Sequence, residues 1–413
     1  MNRGLDRLHP YPFQRLNALV EGVAPPPELE PIPLSIGEPR HAPPADVIAA
    51  LSDPEALAAS LGRYPPTLGT PELKTAARDW LVRRFRLPED SLAPSQVLPV
   101  TGTREALFAL AQAFVDARDR DARVLMPNPF YQIYEGAALL AGAEPVYVPC
   151  PEHTGWLADL DAVAERDWAR CRLFYLCAPG NPCGAAMTVE DWRRLIELAD
   201  AHDFVIAADE CYSEIHLDEA RPPVGLLQAC AELGRHDYAR CIVLHSLSKR
   251  SNLPGLRSGF VAGDAAAIER FGAYRTYHGC GMPLHVQAAS TLAWNDETHV
   301  KANRAAYREK FDAVLPILEG VLDVQRPDAG FFLWPAVPGE VAADGQVDEE
   351  RFVRELYAAS GVLALPGRYL SRPTPAGDPG AGRIRLALVA PLEACVEAAE
   401  RIRDFVHGAR SHG

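Results

Sequence analysis

Hydrophobic residues between positions 97 and 244 occur in short runs, and most of these runs are separated by polar segments long enough to form helices. One such segment, residues 189–200, repeats its apolar residues at the spacing of an amphipathic helix. Short buried strands that alternate with amphipathic helices predict an α/β fold with a mostly parallel sheet covered on both faces. The predicted strands are residues 97–98, 124–126, 145–148, 173–176, 204–208 and 242–244.

The C-terminal part of the chain follows a different pattern. From about residue 290 the alternation weakens, which predicts a smaller α+β domain. The predicted helices there are residues 301–320, 348–360 and 392–405, and the strand-like runs are residues 330–334 and 383–389.

The first 45 residues are rich in proline, which prevents regular helix and predicts an extended arm lying on the rest of the protein. A chain of 413 residues is long for a single core and suggests two domains. We expect the arm at residues 1–45 to join the small domain at 291–413, and the large domain to span 46–290.

The charge and composition of the chain favour small molecules as its binding partners. A net charge of -14 without a Lys/Arg run argues against a nucleic-acid surface. The N-terminus lacks the apolar core of a signal peptide, and no apolar run approaches the roughly 18 residues of a membrane helix. Nine cysteines without a CxxC pair suggest reduced, buried thiols in the cytoplasm. We expect neither a metal site nor a membrane partner.

Polar side chains follow three consecutive predicted strands. Asn181 follows the run ending at 176, Asp209 and Tyr212 follow the run ending at 208, and Lys249 follows the run ending at 244. Each has a structural alternative: a turn for Asn181, a helix cap for Asp209 and a surface cation for Lys249. Because ligands of such sheets bind at the carboxyl ends of strands, the three together predict one site. The other lysines, Lys74, Lys301 and Lys310, lie in polar helical surroundings that suggest solvated faces.

These groups suit pyridoxal phosphate. A partly deprotonated Lys249 can form a Schiff base with its aldehyde, and an acidic partner such as Asp209 keeps its ring nitrogen protonated. Asn181 and Tyr212 can hold its phenolic oxygen. Tyr131 can cover its ring, although core packing is the alternative for any single tyrosine. The candidate phosphate ligands are Gly102, Thr103 and Arg104 at a helix start, with Ser246 and Arg257.

Four motifs in order resemble the class I and II aminotransferases of fold type I. They are Ser-x-Ser-Lys ending at Lys249 with Arg257 eight residues later, Asp-Glu-x-Tyr at 209–212, Asn-Pro-x-Gly at 181–184 and a late Arg-Leu-Ala strand. The resemblance runs from about Ser35 to the last helix. It implies a large domain with a mostly parallel seven-stranded sheet between helices and a smaller α+β domain built from both chain ends. Cys183 departs from the usual threonine, which concerns turn geometry rather than chemistry.

The same resemblance implies roles for individual residues. Lys249 would be the Schiff-base lysine and would carry the proton between Cα and C4′. Tyr64 would reach the phosphate from the neighbouring subunit of a homodimer with shared active sites. An arginine of the late strand would bind the substrate α-carboxylate together with Asn181, with Gly37 closing over it. The family pattern favours Arg385, and Arg383, two residues earlier, remains open.

A finer resemblance concerns residues 246–260, 209–215 and 277–280, which are similar to proteobacterial succinyldiaminopimelate aminotransferases of lysine biosynthesis. It implies an amino donor with several carboxylates and 2-oxoglutarate as acceptor. Additional cations would then be needed near the substrate, surface charge being the alternative for each. The candidates are Arg40, Arg250, Arg275, His278 and Arg372.

Other functions remain open from sequence. Aspartate, acetylornithine, alanine or kynurenine could be the donor, and a pyridoxal-phosphate β-lyase would use the same groups. A regulator of this fold would need a DNA-binding helix-turn-helix, which the proline-rich first 45 residues cannot form. A Rossmann dehydrogenase would need G-x-G-x-x-G after its first strand, and residues 101–106 do not supply it.

Overall fold

The computed structural model of the chain describes residues 3–279, 281–339 and 347–411. Cys280, the last residue of one sequence motif, lies outside these ranges. Within them, every helix is too short or too polar to cross a lipid bilayer.

The strands of the described residues include all six runs predicted between 97 and 244, most of them longer by one to three residues at their ends. They are β1 (Ile32–Pro33), β2 (Val97–Val100), β3 (Arg123–Asn128), β4 (Glu144–Pro149), β5 (Cys171–Cys177), β6 (Val205–Asp209), β7 (Cys241–Ser246), β8 (Gly259–Gly263), β9 (Phe332–Leu333), β10 (Val362–Leu363), β11 (Leu365–Pro366) and β12 (Ile384–Ala387).

The helices alternate with these strands through the large sheet and dominate the C-terminal part. They are α1 (Pro12–Leu19), α2 (Ala45–Leu51), α3 (Pro54–Leu61), α4 (Pro71–Phe85), α5 (Thr103–Phe114), α6 (Gln132–Ala141), α7 (Glu165–Trp168), α8 (Val189–His202), α9 (Leu226–Glu232), α10 (Leu247–Arg250), α11 (Ala265–His278), α12 (Leu284–Asn295), α13 (Thr298–Leu318), α14 (Glu349–Ser360) and α15 (Leu392–Ser411).

A seven-stranded sheet forms the centre of the fold, in the order β2-β8-β7-β6-β5-β3-β4. Only β8 runs antiparallel to its neighbours in this sheet, so the expectation of a mostly parallel seven-stranded α/β sheet is confirmed. Since successive residues of a strand face opposite sides, the strands feed two cores. Ile206 and Val243 pack with α4, α8 and α12, whereas Ala207 and Ile242 pack with α5, α6 and α11.

A third core belongs to the C-terminal part of the chain. It contains α13, α14 and α15 together with the antiparallel sheet β11-β12-β9. Ile32 and Leu34 enter this core from the N-terminal segment, and β1 pairs in parallel with β10. The domain boundaries at 45 and 290 stay a prediction.

The N-terminal segment corrects one sequence interpretation. Proline does not prevent regular helix there, because α1 spans residues 12–19 and its apolar Leu16 is buried in the third core. Pro12 occupies the first helical position, where the missing N–H has no intrahelical partner to lose. Residues 13–24 contain no proline, so nothing interrupts the helix after its start.

Candidate active site

A cavity of about 460 Å³ opens where β5, β6 and β7 end. Its walls also include the start of α5, the N-terminal segment and β12. The structure brings most of the predicted site residues to this one space. Those that line it are Gly37, Thr103, Arg104, Tyr131, Asn181, Asp209, Tyr212, Ser246, Lys249, Arg257 and Arg385.

Lys249 enters the cavity from α10, the four-residue helix that follows β7. Ser246 caps this helix by accepting from the N–H of Ser248 at 3.1 Å, which fixes the turn that presents the lysine. Nζ of Lys249 donates to the carbonyl of Gly37. Burial lowers the pKa of Lys249 to about 8. At pH 7 about a tenth of the Lys249 side chains are therefore neutral, nucleophilic amines, far more than for a lysine of ordinary pKa.

Asp209 ends β6 and presents its buried carboxylate to the same cavity. The hydroxyl of Tyr134 donates to its Oδ2 at 2.9 Å, and burial raises the pKa of the carboxyl group. Sequence reasoning missed Tyr134. The available signal was its position one helical turn after Tyr131, since residues three apart share a helix face.

The start of α5 and the segment after α10 form an anion cradle. Gly102 has φ 90°, and a Cβ at this residue would lie 2.1 Å from Nη2 of Arg257, so only glycine permits this approach. Thr103 then starts α5, whose first N–H groups lack intrahelical acceptors and carry the positive end of the helix dipole. Ser246 adds a hydroxyl from β7. This donor set fits a phosphate group.

Arg104 and the ring-covering candidate Tyr131 meet at the mouth of the cavity. Nε of Arg104 donates to the hydroxyl of Tyr131 at 2.7 Å, and its Nη2 donates to that of Tyr11 at 2.9 Å. The guanidinium is therefore engaged by two phenols, and the backbone N–H of Arg104 in the first turn of α5 is its contribution to the anion cradle.

The structure separates the two arginines that sequence left open. Arg385 is 4% exposed, and it donates from Nη1 to Oδ1 of Asn181 at 3.0 Å and from Nη2 to the carbonyl of Ser35 at 2.7 Å. Burial lowers its pKa to about 10, so it stays charged at neutral pH. Arg383 instead lies 4.2 Å from the ring centroid of Trp156 and lines a different cavity.

Two features make the neighbourhood of Arg385 suitable for a carboxylate. Its Nε is buried without a hydrogen-bond partner among the described residues. A guanidinium is preorganised to bind a carboxylate through two parallel hydrogen bonds. Gly37 passes close by, and a Cβ there would lie 2.8 Å from Phe332, so a side chain at this residue would push the segment away.

Other predicted residues lie elsewhere. Tyr64 is 98% exposed, and Gly102 does not line the cavity but lies against Arg257, which does. None of the five candidate substrate cations lines the cavity. Arg40 and His278 are exposed.

Three of those candidate cations are neither cavity residues nor surface charges. Arg250, Arg275 and Arg372 are buried, or nearly so, in ion pairs of 2.6 Å with glutamates 47, 170 and 237 residues away in sequence. Such distant partners cannot be read from a single sequence. This is why neither the role of substrate cation nor the alternative of a surface charge describes these three arginines. The partners are Glu297, Glu105 and Glu135.

The residues present fit pyridoxal phosphate. The anion cradle suits the phosphate, and the buried carboxylate of Asp209 suits a protonated ring nitrogen. Asn181 and Tyr212 border the same cavity and can donate to the phenolic oxygen. Lys249 is the amine that can react with the aldehyde, and Arg385 is placed to hold a substrate carboxylate beside it.

Comparisons with known proteins agree with this chemistry. The sequence model of the family "Aminotransferase class I and II" matches residues 30–402. The LL-diaminopimelate aminotransferase of Maridesulfovibrio salexigens is 32% identical over 96% of this chain and 97% of its own length. An aminotransferase structure from Neisseria meningitidis Z2491 is 45% identical with a TM-score of 0.91, covering 97% of this chain and 99% of its own. The "probable N-succinyldiaminopimelate aminotransferase" of Thermus thermophilus is 29% identical with a TM-score of 0.81, covering 95% and 100%.

Proposed function

This chain belongs to the class I and II aminotransferases, which are pyridoxal-phosphate-dependent enzymes, and we propose that it transfers the amino group of succinyldiaminopimelate to 2-oxoglutarate in lysine biosynthesis. The observation that carries the transamination chemistry is the meeting of Lys249, Asp209 and Arg385 in one cavity. Similarity to the "probable N-succinyldiaminopimelate aminotransferase" of Thermus thermophilus supports the choice of donor.

Bound pyridoxal phosphate supplies an aldehyde that takes up the amino group and a ring that accepts the electrons left when the Cα proton departs. Arg385 binds the α-carboxylate of the donor and so orients Cα toward Lys249. Lys249 would accept the Cα proton of the donor and carry it to C4′ of the bound cofactor, and its pKa of about 8 suits a base near neutral pH. Asp209 keeps the ring nitrogen protonated, with Tyr134 orienting the carboxylate. The second half of the reaction reverses these steps on 2-oxoglutarate.

A homodimer with shared active sites belongs to the same proposal. Tyr64, Tyr277 and Leu61 are each more than 70% exposed, which is unusual for large apolar side chains and suits an interface. Tyr64 of one subunit would then reach the anion cradle of the other. We place the enzyme in the cytoplasm because the eight described cysteines are all free thiols.

A second donor is favoured by a specific observation. Relatives named LL-diaminopimelate aminotransferases are 30 to 33% identical across nearly the whole chain. LL-diaminopimelate would be held by the same Arg385 and react through the same Lys249. The two candidates differ at the distal end of the donor, where one carries a succinyl group and the other a free amino group.

A donor screen at fixed 2-oxoglutarate tests the proposal. The amino donors to compare are succinyldiaminopimelate, LL-diaminopimelate, aspartate, acetylornithine, alanine and kynurenine. We expect the highest kcat/KM with succinyldiaminopimelate. A higher kcat/KM with LL-diaminopimelate would select the second candidate, and preference for aspartate or alanine would refute both. Release of pyruvate and ammonia from a cysteine conjugate without any oxo acid would instead indicate a β-lyase.

A further inference from the structure

Lys310 is a buried cation that the proposed reaction does not use. It was predicted on a solvated face, yet it is 2% exposed on α13. Its Nζ donates to Nε2 of His41 at 2.7 Å and to the carbonyl of Val389 at 3.4 Å. Across residues 3–279, 281–339 and 347–411 it forms no ion pair with a carboxylate. Burying a charged ammonium group without a carboxylate partner costs free energy, so we infer that Lys310 has a specific role.

The hydrogen bonds around His41 have one consistent direction. Nδ2 of Asn303 donates to the carbonyls of Lys249 at 3.1 Å and Arg250 at 3.3 Å, which leaves Oδ1 of Asn303 to accept. Nδ1 of His41 lies 2.8 Å from that oxygen and must therefore be the protonated nitrogen. Nε2 is then free to accept from Lys310. The ring is neutral in this arrangement, in agreement with burial lowering the pKa of His41.

This chain of hydrogen bonds joins two parts of the cavity wall. His41 follows Gly37 by four residues, and the carbonyl of Gly37 accepts from Nζ of Lys249. At its other end Asn303 holds the backbone of α10 through the carbonyls of Lys249 and Arg250, which lie in the last turn and have no intrahelical partners. The segment 37–41 and the backbone that carries Lys249 are thus both fixed to α13.

We propose that His41, Asn303 and Lys310, here called the arm brace, are positioning residues that set the segment 37–41 over the substrate site and hold Lys249 in register with it. The inference rests on the proposed function, because it assigns the segment to substrate closure. None of the three residues lines the active-site cavity. Lys310 and His41 hold the segment 37–41 in place, and Asn303 holds both this segment and the backbone of Lys249.

Tyr307 offers a matched control on the same helix. Its ring lies 4.6 Å from that of His41, and its hydroxyl is buried without a hydrogen-bond partner among the described residues. Tyr307→Phe therefore keeps the packing of the brace and removes none of its hydrogen bonds. Arg40 provides a second readout, because it is exposed and trypsin cleaves the bond between it and His41 only if the segment leaves its place.

The test uses the holoenzymes of the wild type, Lys310→Met, His41→Gln, Asn303→Leu and Tyr307→Phe. We measure KM and kcat for the amino donor, the affinity for glutarate, which has no amino or oxo group to react, and the rate of tryptic cleavage after Arg40. For Lys310→Met we expect KM and the glutarate Kd to rise about tenfold, because the variant loses one charged hydrogen bond. Its kcat should stay within about threefold of wild type. Asn303→Leu should also lower kcat by about tenfold or more, because Lys249 loses its alignment.

Faster cleavage after Arg40 in Lys310→Met and His41→Gln, with wild-type values throughout for Tyr307→Phe, would support the brace. Unchanged KM, glutarate Kd and cleavage rate in Lys310→Met would overturn it, and so would equal effects in Tyr307→Phe. Should Asn303→Leu not fold, the other two brace variants decide the question. If the wild type does not transaminate at all, the proposed function fails, while glutarate binding and cleavage still test the brace.

Discussion

The regions around Lys249 and Lys310 contain the same kind of group in two different settings. Burial lowers the pKa of both amines to about 8. Lys249 faces a cavity of about 460 Å³ that it shares with Asp209 and Arg385. Lys310 faces packed interior, with the ring centroid of Tyr307 4.9 Å from its Nζ.

The difference shows that a lowered lysine pKa reports burial and does not by itself identify a catalytic amine. What distinguishes Lys249 is space for a substrate next to an anion cradle and a carboxylate. Lys310 is 2% exposed and is held in place by its hydrogen-bond acceptors, and it does not line the cavity that contains Lys249. Substitutions in the two regions should therefore fail in different ways.

The largest effect is expected at Lys249. Lys249→Ala removes both the amine that anchors the cofactor and the base at Cα, so kcat should fall by at least about 10²–10⁴-fold. Single-turnover measurements with the amino donor would establish this. Lys310→Met is the comparison, and its kcat should stay within about threefold of wild type. Activity of Lys249→Ala within tenfold of wild type would refute the assignment.

The next effect concerns the carboxylate site. Arg385→Leu should lower kcat/KM for the donor by about 10²-fold, because removing one partner of a buried charged contact costs roughly 2–5 kcal/mol. Arg383→Leu is a close control, two residues earlier in the chain and pointing its guanidinium at Trp156. It should change kcat/KM by less than about threefold. Equal losses in both variants would mean that Arg385 does not hold the α-carboxylate.

A smaller effect is expected from the support of Asp209. Tyr134→Phe removes the hydroxyl that donates to its Oδ2, a loss of about 1–2 kcal/mol that should lower kcat about tenfold. Tyr175→Phe is the matched control, since Tyr175 stacks on Tyr134 at 4.8 Å and its hydroxyl donates to the carbonyl of Leu107. Its kcat should match wild type. A reversed order of the two variants would contradict the role of Tyr134.

The same contrast explains how much of the site could be predicted. Asp209 ends β6, and Asn181 and Lys249 follow the ends of β5 and β7 within four residues, so the sequence pattern and the topology of a parallel sheet suffice to bring them together. From sequence, the arginine that binds the carboxylate could be narrowed only to Arg383 or Arg385, because residues two apart in a strand are expected to face the same side. Their burial and partners decide between them.

The remaining features depend on contacts between distant residues. Tyr134 lies 75 residues from Asp209, and His41 lies 269 residues from Lys310, so no local pattern announces either pair. Strand β8 was not predicted as an individual run, because two glycines bound it and only three residues carry side chains. Lys310 was misplaced because its helix also carries charged residues that are exposed, such as Lys301.

The smallest effect is on stability and separates the lysines without any assay of activity. The ordinary pKa of a lysine side chain is 10.5, whereas the pKa of Lys310 in the folded protein is about 8. Between these values the unfolded chain binds more protons than the folded one, so the free energy of unfolding gains a positive slope with pH. The wild type should therefore become more stable relative to Lys310→Met as the pH rises from 8 to 10, by on the order of 1 kcal/mol. Lys301→Met, exposed on the same helix, controls for other groups that titrate in alkali. Chemical denaturation at several pH values measures the difference, and parallel pH profiles for Lys310→Met and wild type would show that Lys310 is not desolvated in the folded enzyme.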